Sequence, residues 1–207
     1  MPLNHFYNKD NCSLIIWEVN EDEQFFLSKF ILTDEESKIL EFKKNTLKKI
    51  EFLSIRYLLR LLKINPNDLY YTKLGAPKLK SKTNISISHC MGYSSILVSD
   101  DICGVDIETF RNKIFKIKDR FVNDDDIKNI DSSSVNDLTI VWSLKESVFK
   151  AEIIPGLNFK EQIFIKSIEK QSKIAEILVK KLNVDKIYKS DLLIKSKYIC
   201  TTVFSND

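Results

Sequence analysis

The sequence predicts an α+β fold built from two halves of about 100 residues each. The prediction rests on the order of its segments, because a strand, helices, strands, helices and strands follow one another along 207 residues. One wide apolar stripe at helical spacing marks a central helix in the first half, and short alternating runs mark strands near the middle. Only four Gly and four Pro leave little room for linkers, so the whole chain is expected to fold.

The first half begins with a strand and continues with helices. Residues 12–19 are apolar and β-prone, and Thr33 and Glu36 have the spacing of a helix capping box. Residues 47–62 carry an apolar stripe that is too wide for a surface helix, so this helix is predicted to be the central one. Arg56 lies inside the stripe, where a charged group has a partner or an anionic ligand, or extends to the surface.

Three short runs in the middle of the chain predict an antiparallel meander, at residues 83–89, 93–99 and 102–108. A helix-forming region then covers residues 123–152 and is interrupted at residues 131–134. Three strand-like runs follow, at residues 159–168, 173–179 and 198–204.

Composition excludes several classes of protein. The formal net charge of +3 comes from 32 basic and 29 acidic residues, which is too balanced to indicate a nucleic-acid-binding protein. The four cysteines are scattered without the close pairs of a metal site, and they are predicted to be small core residues with reduced thiols. No signal sequence and no apolar run of about 18 residues is present, which predicts a cytoplasmic protein that does not insert into membranes.

The run from Gly104 to Glu108 is the sharpest chemical feature. A strand's period of two places Val105 and Ile107 on one face and the carboxylates of Asp106 and Glu108 on the other. Neighbouring carboxylates repel unless a cation lies between them, and Mg²⁺ prefers such oxygen ligands. An exposed strand with acidic outward residues has the same pattern, so the run alone leaves both interpretations open.

A second feature is the helical run from Trp142 to Lys150. Glu146 and Lys150 are one turn apart, which is also the spacing of an ordinary stabilising ion pair. Lys145 falls inside the apolar arc of this helix, where its charge requires something to bind.

A third feature is the predicted strand that ends in Ser88 and His89, just before a turn. Side chains at this position are well placed to donate hydrogen bonds to a phosphate, although a lone histidine is more often structural. The chain has no Gly-rich phosphate loop, no HExxH zinc pair and no GxSxG elbow, so the commonest competing enzyme classes are excluded.

Together these motifs resemble the 4'-phosphopantetheinyl transferases of the larger, surfactin-synthetase-activating type, over roughly residues 33–159. The strand and helix motifs are about 35 residues apart, and it is their combination that is specific. The matching segments are Arg56 in a basic helix, Gly75-Ala76-Pro77, residues 84–89, residues 104–108 and residues 142–150.

The resemblance implies a role for each residue in the transfer of the phosphopantetheine arm of coenzyme A to a carrier-protein serine. Mg²⁺ would be bound by Asp106, Glu108 and Glu146, with Glu146 and Lys150 as the catalytic residues. The coenzyme would be held by Arg56, Ser88, His89, Lys145, Lys150 and Asp106. Glu146 would be a metal ligand, a base or both.

The same resemblance implies two similar halves related by a pseudo-twofold axis, with the cofactor in the cleft between them. The boundary falls near residues 99–104, giving an N-terminal half at 1–101 with coenzyme A contacts and a C-terminal half at 102–207 with the metal site. The partners would be coenzyme A and an apo acyl or peptidyl carrier protein, without nucleic acid or membrane, and the chain is expected to be a monomer.

Two departures from the family pattern and two rival functions accompany this interpretation. Ala76 stands where the family has a phosphate-contacting lysine, so that contact is lost unless Lys73 or Lys78 replaces it. Residues 153–156 replace a glycine that follows the second lysine of the helix motif. The rivals are a Mg²⁺-dependent phosphodiesterase acting on coenzyme A or the holo carrier protein, and a carrier-binding module without turnover.

Overall fold

The computed structural model of the chain describes residues 3–9, 11–181 and 184–205. Its α-helices are α1 (Glu23–Leu27), α2 (Asp34–Glu41), α3 (Thr46–Leu61), α4 (Asp124–Ile127) and α5 (Val135–Glu152). Its strands are β1 (Leu3–Lys9), β2 (Cys12–Glu18), β3 (Leu69–Tyr71), β4 (Pro77–Leu79), β5 (Asn84–Cys90), β6 (Tyr93–Ser99), β7 (Ile102–Thr109), β8 (Ile163–Glu169), β9 (Ile174–Lys180), β10 (Asp185–Ile194) and β11 (Tyr198–Ser205). Short 3₁₀ helices occupy Pro66–Asp68, Asn112–Lys116 and Lys118–Arg120.

The first half is a four-stranded antiparallel sheet, in the order β1-β2-β6-β5, with helices on one face. Helix α3 packs on this face, where Ile55, Leu58 and Leu59 share a core with Ile15 and Ile96 of the sheet. This is the central helix that the wide apolar stripe predicts, because most of its circumference is covered.

The predicted capping box at the start of α2 is confirmed. The hydroxyl of Thr33 accepts a hydrogen bond from the Glu36 amide at 3.2 Å, and the Glu36 carboxylate accepts one from the Thr33 amide at 3.0 Å. The box leaves Glu36 buried and facing α3, which becomes important for Arg56 below.

The second half is a five-stranded antiparallel sheet in the order β7-β11-β10-β9-β8. Helix α5 lies across β7 and β11, and it buries Leu138, Val141, Leu144 and Val148 in the core. The predicted interruption of the second helical region is confirmed, since α4 and α5 are separated by a turn that ends at the N-cap Ser134. Both halves are antiparallel sheets packed with helices, so the α+β prediction is confirmed; the pseudo-twofold relation and the domain limits at 1–101 and 102–207 stay predictions.

The predicted meander is wrong in its third strand. β5 and β6 pair as predicted, but β7 pairs with β11, from Ile102 opposite Ser205 to Thr109 opposite Tyr198. Alternating polarity identifies which residues share a face and leaves the hydrogen-bonded partner undetermined. Strand β10 was also not predicted, because its outward face is charged and a serine interrupts its inward face.

Two serines of β5 join the halves where the sheets meet. The hydroxyl of Ser86 accepts a hydrogen bond from the Val105 amide at 2.9 Å, and that of Ser88 accepts one from the Ile107 amide at 3.2 Å. Strands β5 and β7 are therefore connected through side chains rather than through a backbone ladder. Because β7 belongs to the other sheet, this connection sets how the two halves meet.

The interface also contains all four cysteines as free thiols. Cys103 and Cys200 are buried in an apolar cluster with Leu14, Tyr93 and Leu97 of the first sheet, and Cys12 and Cys90 pack against its edge. Burial is the largest cause of the raised pKa of each thiol. The prediction that the cysteines are small core residues is confirmed for Cys103 and Cys200, whereas Cys12 and Cys90 are only partly buried.

No α-helix within residues 3–9, 11–181 and 184–205 is both long enough and apolar enough to span a bilayer.

We expect Gly104→Ala to lower the free energy of unfolding by about 3 kcal/mol or more. An added Cβ would lie 1.9 Å from the carbonyl oxygen of Ser147 on α5, so the helix or the strand would have to move. Urea denaturation followed by circular dichroism measures the change.

The matched control is Gly156→Ala. The backbone φ of Gly156 is +74° and an added Cβ would meet nothing within 4 Å, so its cost is limited to about 1–2 kcal/mol of local strain. Equal losses in the two variants would contradict the close approach of α5 to β7.

Candidate active site

A cleft of about 590 Å³ lies between the halves, with walls from α3, the β3–β4 hairpin, β5, β7 and α5. It brings together every predicted site residue except Lys145. These residues are Arg56, Ser88, His89, Asp106, Glu108, Glu146 and Lys150. A larger cleft of about 840 Å³ opens between β2, β6, β10 and β11, and none of the predicted residues lines it.

Ser88, Asp106 and Lys150 form the centre of the site. The Lys150 ammonium donates to the Ser88 hydroxyl at 2.8 Å and to Oδ1 of Asp106 at 2.7 Å. The Ser88 hydroxyl donates in turn to Oδ1 of Asp106 at 3.0 Å and accepts the Ile107 amide. A hydroxyl can donate one hydrogen bond and accept two, so the Ser88 hydroxyl has no hydrogen-bonding capacity left.

Glu108 is held by two donors at the edge of the cleft. The indole Nε1 of Trp142 donates to Oε1 at 3.3 Å, and the guanidinium of Arg111 donates to Oε2 at 3.1 Å. Burial raises the pKa of Glu108, and the charge of Asp106 raises it further, while Arg111 and Trp142 oppose the shift. Trp142 is therefore a site residue as well as a core residue.

Glu146 is the most perturbed carboxyl group of the three. Burial raises its pKa to about 7, the charges of Asp106 and Glu108 contribute in the same direction, and Lys150 opposes them. Near neutral pH the group is therefore divided between its acid and its base forms. A carboxylate in this range is well matched to accept a proton during a reaction at neutral pH.

The three carboxylates suit a hard divalent cation. Oδ2 of Asp106 is buried without a hydrogen-bond partner in the described part of the chain, and the charge of Asp106 adds to the effect of burial in raising the pKa of Glu108 and Glu146. A bound Mg²⁺ would offset both effects. Among the described residues no group of three or more Asp, Glu, His or Cys side chains is already gathered for a metal, so Glu146 and Glu108 would have to turn towards Asp106.

Arg56 has a partner and also lines the cleft. Its Nε lies 3.2 Å from Oε1 of Glu36, and its guanidinium stacks 4.3 Å from the centre of the Phe52 ring. Arg60 shares the same Glu36 carboxylate at 3.1 Å. The ion pair between Arg56 and Glu36 lacks hydrogen-bond geometry, since neither Nε nor Oε1 makes a hydrogen bond to any residue that the structure describes.

His89 stands at the rim of the cleft, with its side chain 40% exposed and Nδ1 3.7 Å from Oε2 of Glu51. Burial lowers its pKa, and the charges of Lys48 and Lys150 lower it further, whereas Glu51 raises it. The imidazole is consequently neutral at neutral pH and offers one N–H to a ligand.

Lys145 lies outside the site, which does not agree with the predicted phosphate contact. Its ammonium is fully buried and donates to Oδ2 of Asp126 at 2.6 Å and to the carbonyls of Phe121 at 2.7 Å, Phe159 at 2.9 Å and Ile163 at 2.7 Å. Three N–H groups face four acceptors, so no donor is left for a phosphate. Lys145 therefore connects α5 to the segments that surround it and is not part of the candidate site.

The structure shows how the chain is arranged at the two positions that depart from the family pattern. Ala76 donates its amide to the Thr72 hydroxyl at 3.2 Å, and neither Lys73 nor Lys78 lines the cleft, so they do not replace the missing lysine. Helix α5 ends at Ile153 in the left-handed conformation, with φ of 51°, which is a conformation that favours glycine.

Sequence reasoning missed three charged groups of the cleft wall, namely Lys43, Lys48 and Glu51. The lysines belong to a basic run that is also typical of a solvated helix face. Their clustering was visible in the sequence, but the side of the helix that faces the cleft was not.

The second half of the chain matches a known protein family. A sequence model of the 4'-phosphopantetheinyl transferase superfamily matches residues 102–203, a range that contains the two motifs with the three carboxylates. No curated protein matches the chain.

We expect Glu146→Gln to stabilise the metal-free protein at pH 8 by about 2 kcal/mol. The pKa of Glu146 is above its ordinary value of 4.5, so ionisation between pH 4.5 and about 7 disfavours the folded state, and glutamine removes that cost. The gain should therefore vanish at about pH 3, where the carboxyl is protonated in both the folded and the unfolded state. Urea denaturation with EDTA at the two pH values measures it.

The control is Glu161→Gln, an exposed carboxylate outside the cleft, which should change stability by less than about 0.5 kcal/mol at both pH values. A Glu146→Gln protein that is no more stable than the wild type at pH 8 would contradict the assigned environment.

Proposed function

Because the chain belongs to the 4'-phosphopantetheinyl transferase superfamily, we propose that it transfers the 4'-phosphopantetheine arm of coenzyme A to a serine of an apo acyl or peptidyl carrier protein. The second product is adenosine 3',5'-bisphosphate. The observation that carries the proposal is the single cleft in which three carboxylates lie beside Lys150, Arg56 and His89. That combination suits a substrate with a diphosphate and a reaction that separates its two phosphates.

In the proposed reaction the serine hydroxyl oxygen attacks the phosphorus that carries the pantetheine arm. A new bond forms between the serine oxygen and this phosphorus, and the bond to the bridging oxygen of the diphosphate breaks. The serine proton passes to a base, and the bridging oxygen leaves with its electron pair as part of the adenosine bisphosphate. Charge therefore develops on the leaving phosphate, where cations are needed.

Glu146 is the residue we propose as the base. Its pKa of about 7 keeps a substantial fraction in the carboxylate form at neutral pH while leaving it basic enough to accept a proton. The same residue can also be a metal ligand, since a carboxylate has two oxygens.

The cations of the cleft have separate proposed tasks. Lys150 is joined to Asp106 and Ser88, so its ammonium stands beside the carboxylates and would stabilise charge on the reacting diphosphate. Arg56 and the neutral imidazole of His89 would donate to the same substrate from the wall formed by the first half. Ser88 contributes mainly by positioning, because its hydroxyl is already saturated.

Asp106, Glu108 and Glu146 are the residues we propose to hold Mg²⁺. Bound there, the ion would neutralise the three carboxylates and act as a Lewis acid on the diphosphate. Trp142 and Arg111 both donate hydrogen bonds to Glu108, so they would control how readily this ligand turns towards Asp106.

Both walls of the cleft come from one chain, which supports a monomer as the active form. The acidic helices of a carrier protein would suit a basic surface. Water in place of the serine would make the same residues a phosphodiesterase, and absence of turnover would leave a carrier-binding module; the product analysis below distinguishes all three functions.

Incubation of the protein with coenzyme A, Mg²⁺ and an apo carrier protein should add the mass of one phosphopantetheine group to the carrier, measured by mass spectrometry. A carrier with its acceptor serine changed to alanine is the control and should remain unmodified. Hydrolysis of coenzyme A with an unmodified carrier would instead identify a phosphodiesterase, and binding of the carrier without any product would identify a module.

The Glu146→Gln variant should lose transfer by a factor of about 100 or more, because a base and a metal ligand are removed together. Its circular dichroism spectrum should match that of the wild type, since the amide has the same shape. Glu161→Gln is again the control and should keep full activity. A fully active Glu146→Gln enzyme would exclude Glu146 from both roles.

A further inference from the structure

We propose that Arg111 is a positioning residue that competes with Mg²⁺ for the carboxylate of Glu108, and that it thereby sets the concentration of Mg²⁺ at which the site fills. The inference rests on one part of the proposed function, the metal site of Asp106, Glu108 and Glu146. It deepens that part by giving Glu108 two positions, one held by Arg111 and one turned towards Asp106.

The first observation is that Glu108 stands between two cavities. It lines the candidate cleft, and it also lines a smaller cavity of about 200 Å³ whose wall includes Thr109, Arg111 and Lys113. Trp142 lines both cavities as well. Glu108 and Trp142 are therefore the partition between the two spaces, so a rotation of the Glu108 side chain would carry its carboxylate from the smaller cavity into the cleft.

The second observation is that both oxygens of the Glu108 carboxylate are already bound. Oε2 accepts a hydrogen bond from Nη2 of Arg111 at 3.1 Å, and Oε1 accepts one from Nε1 of Trp142 at 3.3 Å. In this position Glu108 does not converge with the other carboxylates, since no three Asp, Glu, His or Cys side chains within the described ranges are gathered for a metal. Binding of Mg²⁺ by all three carboxylates therefore requires Glu108 to turn away from its two donors.

Arg111 depends on Glu108 for its charge partner. In the part of the chain that the structure describes, Glu108 is the one ion-pair partner of Arg111, and Nε of the same guanidinium is buried without a hydrogen bond. A turn of Glu108 towards Asp106 would leave this guanidinium without a counterion, and a partly buried charge without a partner is costly. Mg²⁺ has to overcome this cost, so its apparent affinity is lowered by the fraction of Glu108 that Arg111 holds.

The ion pair between Arg111 and Glu108 is of a strength that a divalent cation can overcome. The Arg111 side chain is 29% exposed and that of Glu108 is 23% exposed, so water screens the pair and weakens it relative to a fully buried one. Mg²⁺ carries two charges and prefers carboxylate oxygens, whereas the guanidinium carries one charge. The two positions of Glu108 are therefore close enough in free energy for the concentration of Mg²⁺ to choose between them.

The first test titrates Mg²⁺ alone into the coenzyme-free protein and measures the dissociation constant by calorimetry. We expect Arg111→Met to bind Mg²⁺ more tightly than the wild type by about fivefold or more, because the ion no longer displaces the guanidinium. The matched control is Lys113→Met, which removes a positive charge from the wall of the same small cavity. Within the described residues Lys113 makes no ion pair with Glu108, so this control should change the dissociation constant by less than about twofold.

The second test follows Glu108 through the fluorescence of Trp142. The chain has two tryptophans, and Trp17 lies in the first half with its indole bonded to Glu21 at 3.1 Å, so Trp17→Phe leaves Trp142 as the single reporter. We expect Mg²⁺ to shift the emission of Trp142 as its indole loses the Glu108 carboxylate, with a midpoint at the calorimetric dissociation constant. Arg111→Met in the same background should move this midpoint to lower concentrations of Mg²⁺.

Each other result would overturn the inference. Weaker or unchanged binding of Mg²⁺ by Arg111→Met would show that Arg111 only supports Glu108, and equal gains in Arg111→Met and Lys113→Met would show a general effect of charge. Binding of Mg²⁺ without a change in the emission of Trp142 would show that Glu108 does not turn. A protein that binds no Mg²⁺ would overturn the inference together with the proposed metal site.

The two tests contain neither coenzyme A nor a carrier protein, so they are independent of the transfer assay. A protein that meets both expectations but transfers no phosphopantetheine would refute the proposed function and leave the role of Arg111 supported. A protein that transfers the group but whose Arg111→Met variant binds Mg²⁺ no more tightly would support the proposed function and refute the role of Arg111.

Discussion

The hydrogen bonds of the Ser88 hydroxyl hold the site together, because they join strand β5 of one sheet to strand β7 of the other and to Lys150 of α5. Without a backbone ladder between β5 and β7, the relative position of the two walls depends on such side-chain contacts. The carboxylate of Asp106 completes this network, and its second oxygen is buried without a hydrogen-bond partner in the described part of the chain. The atoms that connect the two halves are therefore also atoms of the candidate active site.

The cost of this arrangement is electrostatic. Three carboxylates and a lysine share a partly buried space, so desolvation and mutual repulsion raise the pKa of Glu108 and Glu146, while Lys150 and Arg111 offset only part of the effect. The opposite wall carries the complementary imbalance, with more cations than carboxylates around Phe52. A substrate that brings phosphate groups and a divalent cation would relieve both walls at once, which explains why one cleft combines opposite excesses of charge.

Local patterns in the sequence predicted the local structure well. Three features that depend on neighbours in sequence are found where they were expected. They are the capping box at Thr33, the wide apolar stripe of α3 and the paired carboxylates of β7. The pairing of β7 with β11 and the role of Lys145 depend on residues far along the chain. The need of Lys145 for a partner was evident, but Asp126 and three backbone carbonyls meet that need, and only the folded core brings them together.

Gly104 has no side chain, and this allows α5 to lie close to β7 at the candidate site. The backbone of α5 approaches β7 so closely there that Ser147 occupies the volume of any Cβ. The separation between the carboxylates of β7 and Glu146 is thereby fixed by a residue that has no chemistry of its own. A single added methyl group would displace α5 and with it move Glu146 relative to Asp106 and Glu108, although Gly104 itself contacts no ligand.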